Sequence, residues 1–116
     1  MSDEIWSITL DATGGLSVDG ELLPKEFALH QNYPNPFNPT TSLRYDLPQD
    51  SHVLISIYDI RGREVRTLVN ENQTAGYRLL HWNATNNYGQ PVAAGMYIYT
   101  IQAGDFRQVK KMILLK

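Results

Sequence analysis

The side chains able to perform acid–base or nucleophilic chemistry in this 116-residue chain are few and scattered. Its three histidines, His30, His52 and His81, stand alone on separate predicted strands, without the short spacing of metal ligands. Each reads as a surface or cross-strand histidine. Ser17, Ser42, Ser51 and Ser56 lack the strand-to-helix elbow that exposes a nucleophilic serine. The absence of cysteine removes disulfides, thiolate metal ligands and cysteine nucleophiles. No glycine-rich turn joins a strand to a helix, so nothing is written to cradle a phosphate. No catalytic set can be assembled from these residues, and neither a cofactor nor a metal is expected.

Two further groupings have a possible chemistry. The loop 82–89, WNATNNYG, offers several oxygen-bearing side chains, as a calcium loop does. They are amides where a tight site has carboxylates, so the pattern reads as an Asx-turn loop. The aromatic residues Tyr33, Trp82, Tyr88, Tyr97 and Tyr99 could stack on sugars, but as strand and corner residues they are better explained as core. The triplets 72–74 and 83–85 match the N-glycosylation sequon, which matters only in a eukaryotic secretory pathway.

The elements that would position these residues follow from composition and period. A hydrophobic fraction of 42%, a charged fraction of 19% and a net charge of −2 describe a globular chain with no general affinity for nucleic acid. No apolar run approaches the ~18 residues of a membrane span, and residues 1–6 lack the basic start and apolar centre of a signal peptide. Charge is unevenly placed. Residues 1–26 carry six acids and one base, Lys25, whereas the last ten residues carry Arg107, Lys110, Lys111 and Lys116 and no acid. A basic final strand protects an edge from aggregation, or serves as a recognition tail.

Period-2 alternation, broken by Gly, Pro and Asx clusters, predicts strands at 27–30, 42–47, 52–58, 63–69, 77–82, 96–102 and 106–115. Strand 52–58 has apolar residues on both faces and is expected in the centre of a sheet. The imperfect alternation of 63–69 calls for a bulge that turns Val65 and Leu68 or Val69 inward. Residues 59–62 make a tight turn with Gly62 at positive φ, 70–76 and 83–90 are polar loops, and 93–95 suits a close backbone approach. Leu80 and Trp82 should face inward, with Leu79 partly covered. Residues 1–24 read as a lead-in or linker, with a weak strand at 4–10 and a small hairpin at 16–23, and 25–116 as one domain. Seven strands at 8–12-residue spacing without a helical period make an all-β antiparallel sandwich.

The stretch 31–41, QNYPNPFNPTT, organises this arrangement. Its three prolines can neither donate to a ladder nor continue a helix, and they press the preceding Tyr33, Asn35 and Asn38 toward extended backbone. A stiff connector is expected, anchored on the body by Tyr33 and Phe37.

This stretch, followed in order by 53–63 (VLISIYDIRGR), Ala75-Gly76, Trp82-Asn83, 91–99 (PVAAGMYIY) and 110–116 (KKMILLK), resembles the C-terminal sorting domains of the bacterial type IX secretion system. The pattern overlaps with the related immunoglobulin-like domain of flagellar hook-capping proteins. The resemblance covers about residues 27–116 and implies an immunoglobulin-like sandwich at the end of a secreted or surface protein, reached through the periplasm. It implies as partners an N-terminal passenger, the outer-membrane type IX translocon and its sortase-like peptidase, without membrane insertion. The residues it marks as structural are Asn32, Pro34, Asn35, Pro36, Phe37, Asn38, Pro39, Asp59, Gly62, Arg63, Gly76, Trp82, Gly89, Gly95 and Tyr97. Translocon recognition would fall on Lys110, Lys111, Met112, Leu114 and Lys116, by main-chain pairing along an exposed edge aided by the lysines. An accessory module, binding carbohydrate or acting as a spacer, is the alternative. The chain departs from the family at 82–86, where Trp-Asn-Ala-Thr-Asn replaces the usual Trp-Asp-Gly-x-Asp.

Overall fold

The computed structural model describes residues 23–115; the expected strand at 4–10 and most of the hairpin at 16–23 lie outside them. Seven strands follow in order: β1 (Ala28–Leu29), β2 (Thr41–Leu47), β3 (Ser51–Asp59), β4 (Glu64–Gln73), β5 (Gly76–Trp82), β6 (Gly95–Ala103) and β7 (Phe106–Leu114). They form two antiparallel sheets, β1-β2-β5 and β4-β3-β6-β7, and the described residues contain no helix. This is the sandwich that strand spacing predicts, in an immunoglobulin-like arrangement.

Alternation builds the core. Leu43, Tyr45 and Leu47 of β2 point into the sandwich against Val53, Ile55 and Ile57 of β3 and Tyr97, Tyr99 and Ile101 of β6, all buried. Met112 and Leu114 of β7 complete this layer. Trp82 is its largest member, with Phe37 tilted against it at 5.8 Å and Tyr97 edge-on at 5.6 Å. The polar tips of these aromatics are satisfied. Trp82 Nε1 donates to Thr85 O at 2.8 Å, and the Tyr97 hydroxyl to Ala93 O at 2.6 Å. The Tyr45 hydroxyl crosses between sheets to Gln73 Oε1 at 2.6 Å. Burying such rings without partners for their polar atoms would cost on the order of 1–3 kcal/mol per group.

β3 is central, between β4 and β6, as its two apolar faces require. The pairing of β3 with β4 slips twice, between Ile55 and Ser56 and between Ile57 and Tyr58, leaving Leu68 and Val65 unpaired. These bulges turn Val65, Leu68 and Val69 toward the core, where all three are partly buried. β4 runs further than composition suggests. Residues 70–73 look like loop but pair with 51–54, and His52 bridges outward to Asn70 and Asn72 at 2.8 and 2.9 Å. A solvated edge strand can be polar on both faces when a neighbour supplies its ladder, so composition misleads there. Leu79 is also more open than expected, 58% exposed on the outer face of β5.

Candidate functional site

The stretch 31–41 crosses from one sheet to the other. On entry it belongs to the small sheet: His30 N donates to Arg44 O at 2.9 Å, and Tyr33 and Ser42 exchange both backbone bonds. On exit it belongs to the large sheet, where Phe37 makes a parallel bridge with Leu114. Phe37 N donates to Ile113 O at 2.9 Å and Leu115 N to Phe37 O at 2.8 Å. Asn35 Oδ1 accepts from Ile113 N at 3.0 Å, and Gln31 Nε2 donates to Lys111 O at 2.7 Å. Four outward-facing backbone groups of the last strand are thereby occupied. The peptide bonds Tyr33–Pro34, Asn35–Pro36 and Asn38–Pro39 are cis.

A buried polar hub holds the crossing in place. The Tyr99 hydroxyl donates to His30 O and accepts from Asn32 N, both at 2.8 Å. Asn32, itself buried, donates from Nδ2 to Thr41 Oγ1 at 3.0 Å and to Pro34 O at 3.1 Å. Its Oδ1 accepts from Gln31 Nε2 at 2.7 Å, and Thr41 Oγ1 donates to Pro34 O at 2.8 Å. Burial pushes the Tyr99 hydroxyl up to about 12, against a smaller lowering by the Asn32 amide. Phe37 is the hydrophobic anchor, as expected. Tyr33 is not: it is 80% exposed. Its bridge to Ser42 places it on the outer face, and the neighbouring Asn32 takes the inward position. Pro34, Asn35, Pro36, Asn38 and Pro39 stand exposed between the anchors.

β7 alternates cleanly. Phe106, Gln108, Lys110, Met112 and Leu114 turn toward the core side, and Arg107, Val109, Lys111, Ile113 and Leu115 outward. Met112 and Leu114 are fully buried, so their side chains belong to the core and are closed to a partner of the folded domain. Lys110 is half-buried, Lys111 is exposed, and Lys116 lies outside the described residues. The edge pairing expected along this strand meets the connector over 111–115.

The other marked residues have local roles. Asp59 Oδ1 accepts from Arg61 N and Arg63 N at 2.9 and 3.0 Å, and its Oδ2 from Arg63 Nε at 3.0 Å. The Arg63 and Arg61 amides, with the Arg63 guanidinium, hold the carboxyl below its ordinary range despite some opposing desolvation. Gly62 sits at φ 84° in this turn, where a side chain is strained. Gly76 opens β5, and Gly89 N closes onto Asn86 O at 3.0 Å. Gly95 has φ 147°, and a Cβ there would meet nothing within 4 Å, so its conformation rather than close approach explains it. Loop 83–90 is built on Asx turns, with Asn86 Oδ1 accepting from Tyr88 N and Gln90 N. Ala84, at φ 63°, takes a left-handed conformation that more often falls to glycine.

The histidines make outward cross-strand pairs: His30 with Asp46, His52 with Asn70 and Asn72, and His81 with Ser42. Among the described residues no three His, Cys, Asp or Glu side chains converge on a common point. Of the aromatics considered for sugar stacking, Trp82, Tyr97 and Tyr99 are buried, while Tyr33 and Tyr88 are exposed. Sequence reasoning overlooked the parts played by Gln31, Thr41 and Tyr99 in the crossing. The only available signal was the excess of amide and hydroxyl groups around three prolines.

The topology, the sheet-switching first segment and the buried Trp82 define an immunoglobulin-like sandwich module. In sequence, the FlgD Ig-like domain family matches residues 36–105. The chain belongs to that family. In structure it is similar to dimeric latent PorU from Porphyromonas gingivalis, with a TM-score of 0.60 and 23% identity over 86% of this chain and 10% of that one. It is similar to PorZ, an essential surface component of the type-IX secretion system of P. gingivalis, with a TM-score of 0.51 and 18% identity over 78% of this chain and 11% of that one. FlgD from P. aeruginosa gives 0.51 and 18% over 79% and 73%. The chain thus spans about a tenth of the PorU and PorZ chains, and these likenesses establish the fold. No curated protein matches the chain in sequence. No described helix is long and apolar enough to cross a membrane.

Proposed function

We propose that this domain is a non-catalytic sorting and anchoring module that directs an N-terminal passenger through the type IX secretion system to the cell surface or exterior. The observation that carries the reading is the crossing segment, which binds the last strand and holds its outer face as a fixed surface. That surface, Arg107, Val109, Lys111, Ile113 and Leu115, combines positive charge with aliphatic contact and suits docking to a translocon component. The sequence motifs and the likeness to PorZ, itself a component of that system, support the same reading. Recognition would rest on Lys111 and its outward neighbours, with Met112 and Leu114 acting through the fold and Lys110 and Lys116 adding attraction. A sortase-like peptidase would act after export.

The test fuses the full chain to the C-terminus of a periplasmic reporter in a host with this secretion system. Export is expected for the parent and lost for Lys111→Glu combined with Ile113→Ser, both outward substitutions that spare the core. Unchanged export of a folded double variant, or none of the parent, overturns the proposal. Membership of the FlgD Ig-like family favours a second reading, a structural spacer. A spacer would support its neighbours from mid-chain, whereas a sorting signal must be terminal.

A further inference from the structure

Among the described residues, three of the four sheet edges are guarded. The β7 edge is covered by Gln31, Asn35 and Phe37 over 111–115. The β4 edge carries two bulges and receives Asn87, whose Oδ1 accepts from Thr67 N and whose N donates to Val65 O. β1 is two residues long. The β5 edge has none of these devices: seven residues, no bulge, no proline and no lysine, with Tyr77 61% and Leu79 58% exposed. Natural edge strands are blunted because an open one pairs with other chains.

The register shows which groups this edge offers. Ser42 and Arg44 direct their backbone bonds toward residues 30–33, so Leu43 and Tyr45 direct theirs toward β5. Their partners there are Leu80 and Arg78. By alternation, the N–H and C=O groups of Tyr77, Leu79 and His81 face outward from the sheet. We propose that the occupant of this edge is the β5 strand of a second copy, joined about a two-fold axis at Leu79.

That symmetry matches the edge group for group. Leu79 opposes Leu79 of the second copy, and Tyr77 opposes its His81, giving six backbone hydrogen bonds with no edge donor or acceptor left over. Arg78 opposes Leu80, so no like charges face each other across the pair. The Arg78 guanidinium is drawn aside, donating to Thr74 O and Thr74 Oγ1, both at 2.7 Å. On the outer face, Tyr77 and Leu79 of both copies merge into one apolar stripe. The product is a continuous six-stranded sheet. One strand per copy buries less than the ~1,200 Å² of a standard stable interface, so the dissociation constant is expected on the order of 100 μM. This inference stands independently of the sorting role.

Sedimentation equilibrium of the full chain, from about 10 μM to 1 mM, is expected to show the mass rising from 13.2 kDa toward twice that value. Leu79→Pro removes an N–H that β2 does not use, so the fold tolerates it while the dimer constant weakens at least about tenfold. Leu79→Lys, which places like charges on the axis, gives the same loss and serves if the proline variant is unstable. A monomer at every concentration, or a dimer unaffected by Leu79→Lys, overturns the proposal. So does slow exchange of the Tyr77, Leu79 and His81 amides in a strictly monomeric sample, which would mean that another segment of the chain holds the edge.

Discussion

Replacing Tyr99 with Phe isolates the polar hub under the crossing. The ring stays, so no cavity forms, and only the hydroxyl is lost. Two bonds of 2.8 Å disappear: the donation to His30 O and the acceptance from Asn32 N. Asn32 is buried, so its amide then lacks a partner with little access to water. A lost neutral hydrogen bond costs about 1 kcal/mol, and a stranded buried donor about 1–3 kcal/mol. The variant is therefore expected to lose about 2–4 kcal/mol in urea denaturation, with an unchanged m-value. The loss should be local in its dynamics. Because the same segment supplies Asn35 and Phe37 to the last strand, the amides of Ile113 and Leu115 should exchange faster well before those of β3. A loss below about 0.5 kcal/mol, with exchange at Ile113 unaltered, would show that the hydroxyl does not hold the crossing.

Phe37→Ala removes a fully buried ring packed on Trp82, and a loss of about 3–5 kcal/mol is expected by thermal or urea unfolding. Gly62→Val forces a branched side chain into φ 84° and should cost more than about 1 kcal/mol, whereas Gly62→Asn should cost much less. At high pH the Tyr99 hydroxyl, raised from 10.0 to about 12, contributes stability that is complete below pH 10 and fades as the pH climbs toward 12. Unfolding followed between pH 10 and 12 should lose part of that dependence in Tyr99→Phe, the remainder coming from Tyr45 and Tyr97, whose hydroxyls burial also raises. At low pH the depressed Asp59 carboxyl contributes stability that is complete above its ordinary value of 3.8 and disappears as the pH falls through its lower native value. Asp59→Asn should flatten that part of the acid titration.

Much of the sandwich was legible because alternation reports burial directly. Leu43, Tyr45 and Leu47, and likewise Tyr97, Tyr99 and Ile101, are apolar every second residue and are buried in that pattern. A bulge in β4 was legible as a fault in the same period, although the strand carries two. What stayed hidden depends on partners distant in sequence. Polar residues 70–73 form a strand only because β3 lies beside them. Asn32 and Tyr33 are adjacent, and nothing local decides which turns inward. The decision comes from Tyr99, 67 residues later, whose hydroxyl satisfies the Asn32 amide. For the same reason Met112 and Leu114 looked available at the end of a basic tail and are core instead.

The outer backbone groups of an edge strand are open to water and fray unless tied down. Here the tie comes from near the other end of the domain. Residues 31–37 bond to four backbone groups between Lys111 and Leu115, while Met112 and Leu114 are held from within. Over 111–115, a partner of the folded domain therefore meets the strand only through its outward side chains, because the adjoining edge is occupied there and the inner side chains are covered. That restricts the sorting proposal in a useful way. Substitutions at Lys111 and Ile113 should alter recognition without altering stability, whereas substitutions at Met112 and Leu114 can alter recognition only by loosening the strand, and so must lower the unfolding free energy in step with any loss of export.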